Sequence, residues 1–240
     1  MADPAAIPQR RIRWQPAWRI VPSRYPAVGP WDRIAAPADF DALAAIEGLT
    51  NPRLRQDLGV LSLTPRERWL TGPGSTPVMA AFTHLNPEGS RFSDGSYGVY
   101  YAAHSLATAV AEVSHHRAVF LRRTDEPAID IDMRLVTANV EAELHDLSGA
   151  GHRQAANDAF AEVLDPDHYG ASQRLGSDLR AAGSWGLRYP SVRDDGGECV
   201  AIFRPRALRH AKSALHLALH WDGQRISHWY EKTQPQSLAP

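Results

Sequence analysis

The chain has 240 residues, of which 43% are hydrophobic and 22% are charged, a balance that is typical of a folded globular protein and excludes wholesale disorder. It contains 26 Lys and Arg residues against 27 Asp and Glu residues. This near-neutral charge argues against direct binding to nucleic acid or to an anionic membrane surface.

The single cysteine, Cys199, excludes an intramolecular disulfide and a cysteine-based zinc cluster. It begins the apolar alternation CVAIF, which favours a packed thiol over a catalytic one. The opening residues MADPAAIPQRR lack the apolar core of a signal segment, and no long apolar run follows them. We therefore expect a cytoplasmic protein.

Residues 1–30 are rich in Pro, Arg and Trp, and the repeated prolines predict an extended N-terminal arm without a regular element. Residues 31–72 then contain three short segments with helix start and stop signals, DFDALAAIE, RLRQDL and RERWL. We expect a small helical annex in this range.

Residues 73–235 carry the pattern of one larger domain, and residues 236–240 are predicted to be a tail. The strands are predicted in VMAAFTHL, SYGVYYAA and AIDIDMRLV, and helices follow Ser105 and span 152–164 and 169–182. Two hairpins end the domain: LRYPSV with CVAIF around DDGG, and SALHLALHW with QRISHWYE around Asp222 and Gly223.

Strands concentrated in hairpins with helices between them predict an α+β fold with a mixed sheet, rather than a doubly wound parallel sheet. The sequence has no GxGxxG before a helix and no GxxxxGK, so the usual phosphate-binding loops are absent. A nucleotide would have to be held in another way.

Two candidate binding residues lie close together in GSRFSDGSYGVYYAA. Arg91 follows Gly89 and Ser90, and its planar guanidinium suits phosphate oxygens; the alternative is a surface arginine in a weak ion pair. Tyr100 and Tyr101 face opposite sides of a strand, so one of them can stack on a flat ring in a cleft, or both can be ordinary packing residues.

Glu112 borders the apolar stripe of the helix that Ser105 caps, where a carboxylate finds a partner or acts in chemistry; an exposed glutamate is the alternative. Ser191 and Arg193 lie between a predicted strand and the DDGG turn and can face a cleft, although a serine there can also simply cap the turn. His115 and His116 lack the further ligands of a metal motif, and no GxSxG is present.

Taken together and in this order, these residues resemble the RES-domain family, the toxins of bacterial toxin–antitoxin pairs. The resemblance runs through WRIVPSRYP, LTNPRLR, FTHLNPEGSRFSDGSYGVYYAA, TAVAE and YPSVRDDGGECVAIFRP. It implies that the catalytic residues are Arg91, Tyr101, Glu112 and Ser191, and that 73–235 is the RES catalytic domain.

The resemblance implies a fold similar to that of ADP-ribosyltransferases, with NAD⁺ as a substrate and no metal. Family members transfer ADP-ribose to a protein, or degrade NAD⁺ by hydrolysis or phosphorolysis. In this reading Glu112 stabilises the oxocarbenium-like ribose, Tyr101 stacks on nicotinamide, and Arg91, Ser191 and Arg193 hold the diphosphate.

The resemblance also implies a cognate antitoxin of the Xre/DUF2384-like type that covers the active site, and a protein target for ADP-ribosylation. A module that binds a nucleotide or a partner without turnover is an alternative. An RNA-cleaving toxin is disfavoured because the charge is balanced and no basic stripe is present.

Overall fold

The computed structural model describes residues 6–24, 30–33, 60–148 and 160–233. Seven strands form one sheet in the order β1-β2-β5-β4-β3-β6-β7. They are β1 (Gln9–Pro22), β2 (Tyr100–Ala103), β3 (Ile129–Asp146), β4 (Gly186–Pro190), β5 (Glu198–Ile202), β6 (Leu208–Trp221) and β7 (Ile226–Lys232). Strand β1 also pairs with β3, so the first five strands in that order form a closed ring of pairings.

In the described residues, three helices are longer than one turn: α1 (Thr76–Thr83), α2 (Leu106–Thr124) and α3 (Gly170–Ala181). The β3–β4 pairing is parallel and short, whereas the β4–β5 and β6–β7 pairings are antiparallel hairpins. The predicted α+β class with a mixed sheet is confirmed. Both predicted C-terminal hairpins are confirmed, and β6 begins earlier than expected, at Leu208.

The prediction that the first thirty residues contain no regular element is wrong, because β1 runs along β3 for most of its length. Ile12, Trp14 and Ala17 are buried in this pairing. Pro16 lies in the irregularity between Trp14 and Ala17, where the ladder needs no N–H donor, and Pro22 ends the strand. Prolines placed at a bulge and at an end are compatible with a strand.

The prediction of a strand in VMAAFTHL is also wrong, because these residues form α1 and its C-terminal end. A short apolar run cannot by itself separate a buried strand from a buried helix. Pro77 in the first turn and the Met-Ala-Ala run favour the helix. Val78, Met79 and Phe82 are buried at helical spacing.

Residues 34–59, which include two of the three predicted annex helices, lie outside the described residues, as does the tail. RERWL contains only the 3-10 turn Arg66–Arg68. Residues 152–159 of the predicted 152–164 helix also lie outside; Phe160 is helical, and residues 161–164 are a turn and a bend. The helices predicted after Ser105 and across 169–182 are confirmed as α2 and α3.

The core lies on both faces of the β2–β5–β4 part of the sheet. Helix α3 contributes Leu175 and Leu179 to one face, and α1 contributes Val78 and Phe82 to the other. Tyr100 is buried on the α1 side and Tyr101 packs on the α3 side, as the strand alternation predicts. Among the described residues, no helix is long and apolar enough to cross a membrane.

Candidate active site

Glu112 lies on helix α2, and contacts from the β4–β5 hairpin hold its carboxylate. Ser105 caps α2, since its side chain accepts a 3.1 Å hydrogen bond from the Thr108 amide. About two turns further along, the half-buried Glu112 accepts a 2.6 Å hydrogen bond at Oε1 from Ser191 Oγ, and Cys199 Sγ lies 3.8 Å from the same oxygen. The carboxylate is therefore fixed at the border of the core and is not an exposed surface group.

Ser191 directs its single hydrogen at this carboxylate. Its side chain is completely buried at the first residue after β4. Its hydroxyl oxygen accepts hydrogen bonds from the amides of Arg193 and Asp194 at 3.1 and 3.0 Å. Because the two amides occupy the oxygen, the hydroxyl hydrogen is available only to Glu112. In this structure Ser191 thus orients Glu112, and its contact with a diphosphate stays a prediction.

Arg91 is buried, with 7% of its surface exposed, so its interpretation as a surface arginine is wrong. The guanidinium donates to the carbonyl oxygens of Asp165 and Val163 at 2.7 and 3.4 Å and lies 4.5 Å from the centre of the Tyr169 ring. In the described parts of the chain, no carboxylate forms an ion pair with it. Among the described residues, carbonyl dipoles and an aromatic face are therefore the contacts that compensate this buried positive charge.

Tyr101 fastens the turn on which Arg91 lies. Its hydroxyl group is 2.8 Å from Ser90 Oγ and accepts a 2.9 Å hydrogen bond from the Phe92 amide, so it contacts the residues on both sides of Arg91. Burial raises the pKa of Tyr101 to about 12, although these two hydrogen bonds lower it. The phenol therefore stays protonated at neutral pH and acts as a neutral hydrogen-bonding group.

Three of these side chains act electrostatically on the buried Tyr189, and Ser191 follows it two residues later in the chain. Burial raises the pKa of Tyr189 well above its ordinary value; the charge of Glu112 and the neighbouring Tyr101 contribute, and Arg91 opposes them. All three groups therefore lie within electrostatic range of one phenol. Residues that are far apart in the chain thus belong to one candidate site, which contains a carboxylate and a buried cation.

The model of the RES-domain family matches residues 64–222 of the chain. The chain belongs to the RES-domain family. The matched range contains the whole of the site described above, from Arg91 on its glycine-rich turn to Ser191 after β4.

This RES domain is similar to one curated protein and to one chain of a solved structure. An uncharacterised protein of Sinorhizobium fredii, y4oC, is 32% identical over 215 residues, which cover 89% of this chain and 86% of the relative. The crystal structure of the M. tuberculosis MbcT–MbcA toxin–antitoxin complex contains a chain that is 14% identical, with a TM-score of 0.47 and 86% of each chain covered.

Cys199 and Tyr189 lie at the candidate site of this RES domain. The packing of Cys199 was predicted from CVAIF and is confirmed, whereas Tyr189 was not predicted. Tyr189 on β4 is paired with Cys199 on β5, and Ala201 on β5 is paired with Tyr101 on β2. The predicted hairpin and its register could have placed Cys199 and Tyr189 beside Ser191. Burial and the charge of Glu112 raise the pKa of the Cys199 thiol, so it is a packing group and not a nucleophile.

Arg193, the remaining predicted binding residue, contacts the 166–167 segment. Its guanidinium donates to the Pro166 carbonyl and lies 3.8 Å from Asp167. His115 lies within the same field, because burial and then the charge of Arg193 lower the pKa of its ring to about 4, whereas the His116 side chain is exposed. The His115 imidazole is therefore neutral at pH 7. Across the described ranges, no group of three or more His, Cys, Asp or Glu side chains could hold a metal ion.

Proposed function

We propose that this RES domain is the toxin of a bacterial toxin–antitoxin pair that cleaves NAD⁺ at the nicotinamide–ribose bond and transfers ADP-ribose to a protein. The observation that carries the proposal is the Glu112 carboxylate, which Ser191 fixes at 2.6 Å in the same candidate site as the buried Arg91 cation. A site that contains both an anionic and a cationic group suits a substrate that is cationic at nicotinamide and anionic at its diphosphate.

Glu112 would stabilise the charge that develops on the ribose. When the C–N bond breaks, its electron pair leaves with nicotinamide, which becomes neutral, and positive charge develops at the ribose carbon. The contacts with Ser191 and Cys199 both go to Oε1. Oε2 is then the oxygen that can face the ribose, and a carboxylate held rigid before the reaction stabilises this charge without reorganising.

Arg91 and Arg193 would hold the diphosphate. A buried guanidinium that pairs with carbonyl oxygens keeps its full charge, and a phosphate oxygen is a stronger acceptor than a carbonyl. Arg193 also contacts the 166–167 segment. The two arginines therefore define the side of the site at which an anionic ligand would be held.

The acceptor distinguishes the two branches of the proposal. After nicotinamide leaves, a nucleophile forms the new bond to the ribose carbon and loses its proton; it is a side chain of the target protein in ADP-ribosylation, and water or phosphate in NAD⁺ degradation. The two branches share the first bond cleavage. The RES family membership supports both, and we favour transfer to a protein.

The test uses purified wild-type protein, Glu112→Gln and the matched control Glu126→Gln, an exposed glutamate after α2. Each is incubated with labelled NAD⁺ and cell extract, and mass spectrometry follows free nicotinamide, free ADP-ribose and labelled protein. We expect Glu112→Gln to lose about a hundred- to a thousandfold in rate, as is typical for loss of one electrostatic group. Near-normal turnover by Glu112→Gln would contradict the assignment.

The proposed activity implies an antitoxin that restrains the toxin and a target protein that accepts ADP-ribose. An antitoxin of the Xre/DUF2384-like type would cover Arg91, Tyr101 and Glu112, and a specific interface of this kind buries about 1,200–2,000 Å². Expression of the wild type alone should stop bacterial growth, and Glu112→Gln should not. If both proteins stop growth equally, the harm comes from binding or aggregation and not from turnover.

A further inference from the structure

The hydrogen bond between Ser191 and Glu112 is accompanied by a second link between the same two elements. Thr108 Oγ1 donates a 2.6 Å hydrogen bond to Asp194 Oδ2. Thr108 and Glu112 are four residues apart on α2, so they lie on one face of the helix, about 6 Å apart along its axis. The turn after β4 is therefore attached to α2 at two successive positions.

The donor directions in this network are determined. The Thr108 hydrogen goes to Asp194, because a carboxylate only accepts, so in the 2.8 Å contact between Ser105 and Thr108 the Ser105 hydroxyl is the donor. Thr108 is 1% exposed, which shields this contact from water. The same Asp194 supplies one of the two amides that occupy Ser191 Oγ. If Asp194 moved, its amide would no longer hold Ser191 Oγ in place, and the Ser191 hydroxyl would be free to turn away from Glu112.

The turn is closed and tightly packed against α2. The Gly197 amide donates to the Asp194 carbonyl at 3.0 Å, and the Ser191 amide donates to the Gly197 carbonyl at 2.8 Å. A β-carbon at Gly197 would lie 2.7 Å from Asp194 Oδ2 and 2.8 Å from Thr108 Cγ2 and Oγ1. A side chain at position 197 would therefore collide with the hydrogen bond between Thr108 and Asp194, and glycine leaves the space that this contact needs.

We infer that Thr108 and Asp194 are positioning residues for Glu112: their hydrogen bond fixes the turn that makes Ser191 donate to the carboxylate. The inference rests on the proposed function for its kinetic consequence, but not for its geometric one. Among the described residues, the side chains of Thr108 and Asp194 form no hydrogen bond with Glu112, Arg91 or Tyr101. Their effect on turnover therefore passes through the orientation of Glu112.

The first test is structural and does not depend on activity. Crystal structures of Thr108→Val, which is nearly isosteric and lacks the hydroxyl, and of Thr108→Ser, which retains it, are compared with that of the wild type. We expect the distance from Ser191 Oγ to Glu112 Oε1 to exceed hydrogen-bond range in Thr108→Val and to stay close to 2.6 Å in Thr108→Ser. An unchanged distance in Thr108→Val overturns the inference.

The second test is kinetic and uses NAD⁺ turnover. Thr108→Val and Asp194→Ala should lower kcat by about ten- to a hundredfold with KM within about twofold, since a misplacement of about 1 Å costs up to a hundredfold. Thr108→Ser should restore most of kcat. Asp222→Ala, which removes a turn carboxylate in the distant β6–β7 hairpin, is the matched control and should leave kcat unchanged.

A double variant separates positioning from general stabilisation. In a Ser191→Ala background, Thr108→Val should lower kcat no further, because the hydrogen bond that it orients is already absent. Additive losses, or a fall in melting temperature with unchanged kcat, overturn the inference. If the wild type itself does not consume NAD⁺, the proposed function fails, and the crystal structures alone then decide on the positioning role.

Discussion

Substitution of Gly176 by alanine should disturb the site from outside it. Gly176 lies on α3 where the helix crosses the turn that carries Arg91. A β-carbon there would be 2.3 Å from the carbonyl oxygen of Phe92 and 2.9 Å from its carbonyl carbon. Non-bonded carbon and oxygen atoms lie about 3.3 Å or more apart. Both obstacles are backbone atoms, so the helix and the turn must separate by about 1 Å.

The two energetic effects of this change oppose each other. Overpacking costs about 1–3 kcal/mol, and alanine favours a helix interior over glycine by about 1 kcal/mol. If overpacking costs about 2 kcal/mol, the middle of its range, the net loss of stability is about 1 kcal/mol. Such a loss lowers the melting temperature of a protein of this size by about 2–4 °C. The displacement reaches Arg91, so kcat/KM for NAD⁺ should fall by about ten- to a hundredfold.

The matched control is Gly170→Ala at the start of the same helix. A β-carbon at Gly170 meets only the Arg174 guanidinium at 3.6 Å, which is ordinary contact. Thermal melts and NAD⁺ turnover of both variants are measured in the same buffer. We expect Gly170→Ala to match the wild type. If Gly176→Ala melts at the wild-type temperature or above and keeps its turnover, the contact between α3 and the Arg91 turn does not constrain the site.

Two further predictions concern charged groups. Arg91→Lys should raise the Kd for an inert NAD⁺ analogue, measured by calorimetry, by about tenfold or more, because an ammonium cannot make the paired contacts of a guanidinium; the exposed Arg206→Lys should not, and equal affinities would argue against diphosphate binding at Arg91. Burial, together with the charge of Arg193, lowers the pKa of His115 from 6.5 to about 4. Between these two pH values the unfolded chain binds a proton at His115 and the folded protein does not. The stability of the fold therefore decreases as the pH drops through this range. Melting curves at pH 7 and pH 5 should therefore show a smaller drop for His115→Gln than for the wild type or the exposed His168→Gln, and equal drops would refute a buried neutral imidazole.

The local parts of the fold could be predicted from the sequence. Asp222 with Gly223 is a two-residue hairpin signal, and Ser105 before an amphipathic stretch is a helix start, because each depends on nearby backbone chemistry. The same holds for the opposite faces of Tyr100 and Tyr101 on β2. Such signals need no knowledge of distant residues.

The parts that failed depend on tertiary contacts. Residues 9–22 form strand β1 because β3 pairs with them. Pro16 has no backbone N–H to donate, and it lies where the pairing is irregular and needs none. Residues 77–82 of helix α1 are all apolar because the helix lies against the core, so the sequence there shows no alternation of polar and apolar residues. Arg91 can be buried because the carbonyl groups of the 163–165 segment accept its hydrogen bonds. The sequence around Arg91 gives no sign of this distant segment.

The site shows why residue identity could be predicted without residue role. The sequence suggested that Ser191 could contact a phosphate, because a hydroxyl can donate and accept hydrogen bonds. Only the closed turn determines that it accepts from two backbone amides and donates to Glu112. Two hydrogen bonds join that turn to α2, from Thr108 to its Asp194 carboxylate and from its Ser191 to Glu112. The hydrogen bonds that join hairpin to helix are thus the ones that orient the carboxylate. The same contacts therefore hold both the interface and the site, and a variant that loosens the interface should lose turnover before it loses the fold.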